Sequence, residues 1–104
     1  MILAHATLVS GDASPILKIE ISKHIFHTDV IVVPANTKIK LIIYNRDATA
    51  EEIESHSLKF KKIIMGNTNG FVFIGPLPQG EYHFIGAFHP RTANAIIRAI
   101  KKEN

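Results

Sequence analysis

Cysteine and tryptophan are both absent from the 104 residues, and aromatic side chains make up only 8%. Without cysteine there is no disulfide framework, no thiolate nucleophile, no iron–sulfur ligation and no zinc-finger site. A blue-copper electron-transfer centre is excluded as well, because it takes a cysteine sulfur. Long apolar runs are missing too: nothing approaches the roughly 18–20 residues of a membrane helix. No glycine loop of the phosphate-cradling kind occurs. No serine–histidine–acid set can be assembled, since Ser55 and His56 are neighbours and point to opposite faces of a strand.

What remains is an ordinary globular composition, with 46% hydrophobic and 20% charged residues. The length suits one domain with a modest core. Net charge is +3, from 12 Lys+Arg against 9 Asp+Glu. The basic excess gathers at Lys59, Lys61, Lys62 and near the end at Arg98, Lys101 and Lys102, without the dense basic and aromatic face of a nucleic-acid binder. Nucleic acid is therefore not an expected partner. Carboxylates concentrate in Asp47, Glu51, Glu52 and Glu54, which could be a solvated acidic loop. The opening step Ala4-His5-Ala6 matches the small-x-small pattern before a signal cleavage site, so an exported protein is expected. Residues 1–15, with Ser10-Gly11-Asp12-Ala13-Ser14-Pro15, read as a flexible lead-in to a single domain over 16–104.

Period two dominates the chain. Leu17, Ile19 and Ile21 alternate with Lys18, Glu20 and Ser22 as in a half-buried strand. Val30-Ile31-Val32-Val33 is a β-branched run stopped at Pro34, and Lys38 to Tyr44 alternates again. Ala50 to Lys62 is ambiguous: Ala50-Glu51-Glu52 could open a helix, but His56, Leu58 and Phe60 favour a strand from about His56. Further strands are predicted over 71–74, 81–85 and 95–101. About seven short strands at this spacing predict an all-β, antiparallel Greek-key sandwich.

Several segments, taken in order, resemble the cupredoxin family. They are Val33-Pro34-Ala35-Asn36-Thr37-Lys38-Ile39, Asn45-Arg46-Asp47, Ser55-His56-Ser57-Leu58-Lys59-Phe60, Gly75-Pro76-Leu77-Pro78-Gln79-Gly80-Glu81-Tyr82-His83-Phe84 and Gly86-Ala87-Phe88-His89. The resemblance spans about residues 16 to 102. In copper electron carriers of that family the last loop holds cysteine, histidine and methionine. Here Gly86 stands in the cysteine place, His89 in the histidine place, and Ala93 and Asn94 near the methionine place. The resemblance sets the other histidine ligand at His56. With Glu51-Glu52-Ile53-Glu54-Ser55 and Phe88-His89-Pro90, the chain looks most like a cysteine-less subgroup whose members are exported, some beside iron-uptake permeases.

That resemblance implies a periplasmic protein handling copper or iron. Its expected metal ligands are His56 and His89, joined by Glu54 and Glu52, which share a strand face with His56. Two imidazoles and a carboxylate suit Cu(II), with zinc or iron as other candidates. His83 alternates with Tyr82 and Phe84 and is expected to face away from the core. His24 and His27 flank Ile25-Phe26 without a carboxylate nearby in sequence. Met65, beside Gly66, is expected to cap the core. The resulting expectation is a copper-binding accessory of metal transport, partnered with a membrane permease or a periplasmic protein. A metal-free interaction module is the alternative, and ferrous-ion oxidation is the one activity an open copper site would support.

Overall fold

A computed structural model describes residues 3–4 and 14–101. Its strands are β1 (Leu3–Ala4), β2 (Ile16–Ser22), β3 (Ile25–Phe26), β4 (Val30–Pro34), β5 (Ile39–Asn45), β6 (Glu51–Ser55), β7 (Phe60–Ile64), β8 (Asn69–Ile74), β9 (Gly80–Gly86) and β10 (Asn94–Ile100). They form two sheets, one of six strands in the order β1-β4-β10-β9-β6-β7 and one of four in the order β3-β2-β5-β8. The all-β sandwich is as expected, but the sheets are mixed. The β1–β4, β4–β10 and β2–β5 pairs are parallel, because the chain crosses between sheets before returning beside an earlier strand. Most of the expected lead-in, residues 5–13, lies outside the described residues, while Leu3–Ala4 pairs with β4.

The alternation read from the sequence becomes the core. Leu17, Ile19 and Ile21 of β2 and Ile39, Leu41 and Ile43 of β5 are buried on one side. Ile31, Val33, Ile53, Phe84 and Ile97 of the other sheet face them. Phe26 and Phe84 meet edge to face across the sheets at 4.9 Å, fixing β3 over β9. An offset or edge contact of this kind adds about 0.5–1.5 kcal/mol beyond its area.

The ambiguous segment resolves differently from expectation. Strand β6 begins at Glu51, five residues before His56, and the chain turns at 56–59 before β7. Ile53 sets the phase: it is buried, so Glu51 and Ser55 also point inward and Glu52 and Glu54 outward. Asn45, 1% exposed, closes this end of β5. Its amide nitrogen shares its protons among the carbonyls of Thr49, Ile64 and Met65, and its oxygen accepts from the Asp47 backbone N–H. That bond sets the position of Asp47.

Candidate metal centre

Strands β2 and β3 pair Ile21 with Phe26 and Ser22 with Ile25, leaving Lys23 and His24 as the loop. Both have positive φ, 54° and 59°. A two-residue hairpin loop with both residues left-handed is the type I′ turn, which normally takes Asn-Gly. Lysine and histidine are strained there, by about 1–3 kcal/mol each. The Asp47 carboxylate offsets that strain by accepting the Lys23 N–H at 2.7 Å and the His24 N–H at 3.0 Å. Its Oδ2 also lies 3.3 Å from His24 Nδ1.

His89 arrives from the other sheet, in the loop after β9. This loop is folded on itself: Gly86 N–H donates to the Ala93 carbonyl at 2.9 Å, and Ala93 N–H to the His89 carbonyl at 2.9 Å. Glu51 sits beneath it, 2% exposed. Its Oε1 accepts from the N–H of Phe88 at 2.7 Å and of Glu52 at 3.1 Å. Its Oε2 lies 2.6 Å from His89 Nδ1. Gly86 makes this approach feasible. A Cβ there would stand 2.7 Å from Glu51 Cδ and 2.7 Å from Ala93 Cβ, closer than real Cβ contacts come.

The His24 and His89 rings stack at 3.5 Å with an 11° interplanar angle. Each imidazole has a carboxylate at Nδ1: Asp47 for His24 and Glu51 for His89. A carboxylate at Nδ1 holds the proton there and leaves Nε2 as a lone-pair donor, the usual support for a metal-bound histidine. His24, Glu51 and His89 each offer a ligand atom, all within 4.8 Å of one another. Two nitrogens and an oxygen, with no sulfur, fit a divalent ion of the Cu(II) or Zn(II) kind. His24 is the more adjustable ligand, at 38% side-chain exposure against 32% for His89 and 3% for Glu51.

Partial burial pushes the Asp47 carboxyl up. The backbone N–H groups of His24 and Lys23 and the nearby imidazoles pull it down harder, leaving it below its ordinary value of 3.8. A carboxylate held low in the folded state stabilises the fold above its unfolded pKa and loses that contribution as pH falls through the folded value. Stability is therefore expected to drop below about pH 4. Asp47→Asn should flatten that acid limb in melts recorded from pH 7 to pH 2. An acid limb identical in both proteins would contradict this.

Of the residues singled out in the sequence, His89 is in this cluster. Glu52, Glu54 and His56 are on the outward side of β6 and its turn, with Glu52 contributing a backbone carbonyl to Ala87 N–H at 2.7 Å. His83 faces outward as expected. Met65 is 62% exposed, not a cap on the core. His24, Glu51 and Asp47 come together only in the fold. Ile53 was the available signal for Glu51, since one buried isoleucine fixes which alternate residues go inward.

Residues 1–97 match the model of the family described as the cupredoxin-like domain. The uncharacterized protein RP394 of Rickettsia prowazekii (strain Madrid E) is 43% identical over 81 residues, 78% of this chain and 65% of that protein. The metal-binding domain of the Streptococcus pneumoniae D39 Cu(I)-exporting P-type ATPase CopA, solved with Cu(I), has TM-score 0.81 at 13% identity, covering 95% of this chain and 96% of that one. A copper binding protein solved in the apo form has TM-score 0.76 at 12% identity, covering 94% and 95%. Auracyanin B has TM-score 0.72 at 10% identity, covering 93% and 97%. At these identities the structural likeness is one of fold, and the sequence match carries the family. The family match over residues 1–97, on a two-sheet sandwich of the same fold as copper-binding domains, makes this chain a member of the cupredoxin-like domain family.

Proposed function

We propose that this chain binds a divalent transition-metal ion, Cu(II) foremost, through His24 and His89 with Glu51 beside them. On this reading it acts as an exported, periplasmic accessory of metal transport, working with a membrane permease or a periplasmic partner, with zinc or iron as the other ions. The observation that carries the metal-binding reading is the convergence of His24, Glu51 and His89, whose ligand atoms lie within 4.8 Å of one another. Affinity among first-row divalent ions peaks at copper for such donors. The fold likeness to copper-binding domains supports the same choice. No helix among the described residues is long and apolar enough to cross a membrane. Electron transfer of the blue-copper kind is not part of the reading, since there is no cysteine.

The test is titration of purified protein with Cu(II), followed by electron paramagnetic resonance. Sub-micromolar binding with nitrogen hyperfine structure is expected. His24→Ala and His89→Ala should each weaken it by at least about a hundredfold, since losing a ligand costs no less than losing a group that supports one. Affinity should also fall with pH, because the ligands must be deprotonated. Binding of full strength in both variants would overturn the reading. A metal-free interaction module is the second reading. It is favoured by the Glu51 carboxylate, whose hydrogen bonds are complete without an ion, and by the lack of unpartnered buried side-chain polar atoms among the described residues. Absence of sub-micromolar binding by the unmutated chain would favour it.

A further inference from the structure

The outer face of the four-stranded sheet carries apolar side chains where a solvated face normally turns polar ones outward. The outward positions of β5 and β8 hold Lys40, Ile42, Tyr44, Phe71 and Phe73, with Lys40 opposite Phe73 and Ile42 opposite Phe71. Phe71 is 46% exposed and Phe73 50%. A cation stands over each ring. Lys40 Nζ lies 4.4 Å from the Phe71 centroid, Lys38 Nζ 4.6 Å from that of Phe73, and the Arg46 guanidinium 5.1 Å from that of Tyr44. Lys18, opposite Ile42 on β2, extends the basic row. Glu20 is the one carboxylate on β2, β5 and β8, and its Oε2 lies 3.4 Å from Arg46 Nε. The face is therefore positive and apolar at once.

We propose that this face docks on an anionic lipid surface, with Lys18, Lys38, Lys40 and Arg46 at the headgroup phosphates and Phe71 and Phe73 at the headgroup–acyl boundary. The charges are complementary, and each lysine or arginine near an anionic leaflet adds about fivefold in affinity. A phenyl ring beside an ammonium suits that boundary: the ring sinks just below the headgroups, while the lysine stem lifts its charge into water. Two other polyanions fit less well. Single-stranded nucleic acid needs open ring faces on which bases stack. Here ammoniums cover Phe71 and Phe73, and the two rings stand edge to face at 5.6 Å and 80°. An acidic polypeptide matches the lysines, but its carboxylates offer nothing to the two phenyl rings. None of His24, Glu51 and His89 is on β2, β5 or β8, so metal binding and lipid binding hold or fail separately.

Cosedimentation of the full chain with vesicles of equimolar phosphatidylglycerol and phosphatidylcholine tests this, with pure phosphatidylcholine as the control. Binding to the anionic vesicles alone is expected, and most of it should be lost in about 1 M salt, where charges are screened beyond about 3 Å. Lys38→Ala/Lys40→Ala should weaken it about thirtyfold, at about fivefold per lysine. Phe71→Ser/Phe73→Ser should weaken it as well, with unchanged circular dichroism showing that both variants are folded. The chain has no tryptophan, so Phe71→Trp supplies a sole indole reporter. Its emission should shift to the blue on the anionic vesicles and be quenched by brominated acyl chains. The proposal is overturned if the chain stays in the supernatant with anionic vesicles at low salt, or if it binds with an unshifted indole, which would put another face on the lipid. Full-strength binding by the folded Lys38→Ala/Lys40→Ala protein overturns it too. Binding to poly-L-glutamate or oligothymidylate in preference to the vesicles would overturn it by assigning the face to an acidic polypeptide or a nucleic-acid single strand.

Discussion

Glu51→Ala should cost the domain about 3–5 kcal/mol, the range for breaking a buried charged network by removing one member. The carboxylate is 2% exposed and holds three groups at once: the backbone N–H of Phe88, that of Glu52, and Nδ1 of His89. Alanine leaves the three without this acceptor, and each donor stranded out of water costs about 1–3 kcal/mol. Set against total stabilities of about 5–15 kcal/mol, the loss is severe. Urea denaturation measures it directly. Glu51→Gln separates structure from metal chemistry. It keeps an acceptor for the Phe88 N–H but turns neutral, so it should lose less stability while weakening Cu(II) by about 10–100-fold. A Glu51→Ala protein within 1 kcal/mol of the parent, roughly the worth of one ordinary hydrogen bond, would mean that the carboxylate is a bystander.

Gly86→Ala is expected to have the second largest effect, at about 1–3 kcal/mol for forcing a methyl into a filled space. The new Cβ would sit 2.7 Å from both Glu51 Cδ and Ala93 Cβ. Neither is the loose end of a flexible surface chain: Glu51 is pinned by its hydrogen bonds, and Ala93 is 0% exposed. Pairing Gly86→Ala with Ala93→Gly should recover part of the loss, read as a coupling energy in a double-mutant cycle. Strict additivity would show that the Ala93 contact is not the source of strain. The absent cysteine acquires a structural meaning here. At Gly86, where the family resemblance sets a cysteine, the space a side chain would need is taken by Glu51 and Ala93.

Some of this arrangement was legible in the sequence. The sandwich followed from β-branched alternation and turn residues, because period two is a local property that each strand displays by itself. Gly86 and His89 stood out through the order of the segments around them. The rest depended on phase and on distance along the chain. In Glu51-Glu52-Ile53-Glu54-Ser55, a shift of one residue exchanges the buried and the wet carboxylates. Reading a strand from His56 put the weight on Glu52 and Glu54, whereas the strand begins at Glu51 with Ile53 inward. His24 carried no local sign at all. Its partners are Asp47 and His89, 23 and 65 positions away, and its turn lacks the Asn-Gly pair that would have announced it.

The Lys23–His24 turn belongs to the four-stranded sheet, and His89 and Glu51 belong to the six-stranded one. The stacked rings therefore add a strap between two layers that are also joined by apolar packing and by the Asn45 amide, which donates to the Ile64 carbonyl of β7. An ion held by both rings would turn that strap into a rivet, since shearing the layers would then require a coordination bond to break. Metal supply would set the mechanical rigidity of the whole sandwich as well as the state of one site. At a hundredfold excess over Kd, such a rivet raises the unfolding free energy by about 2.7 kcal/mol.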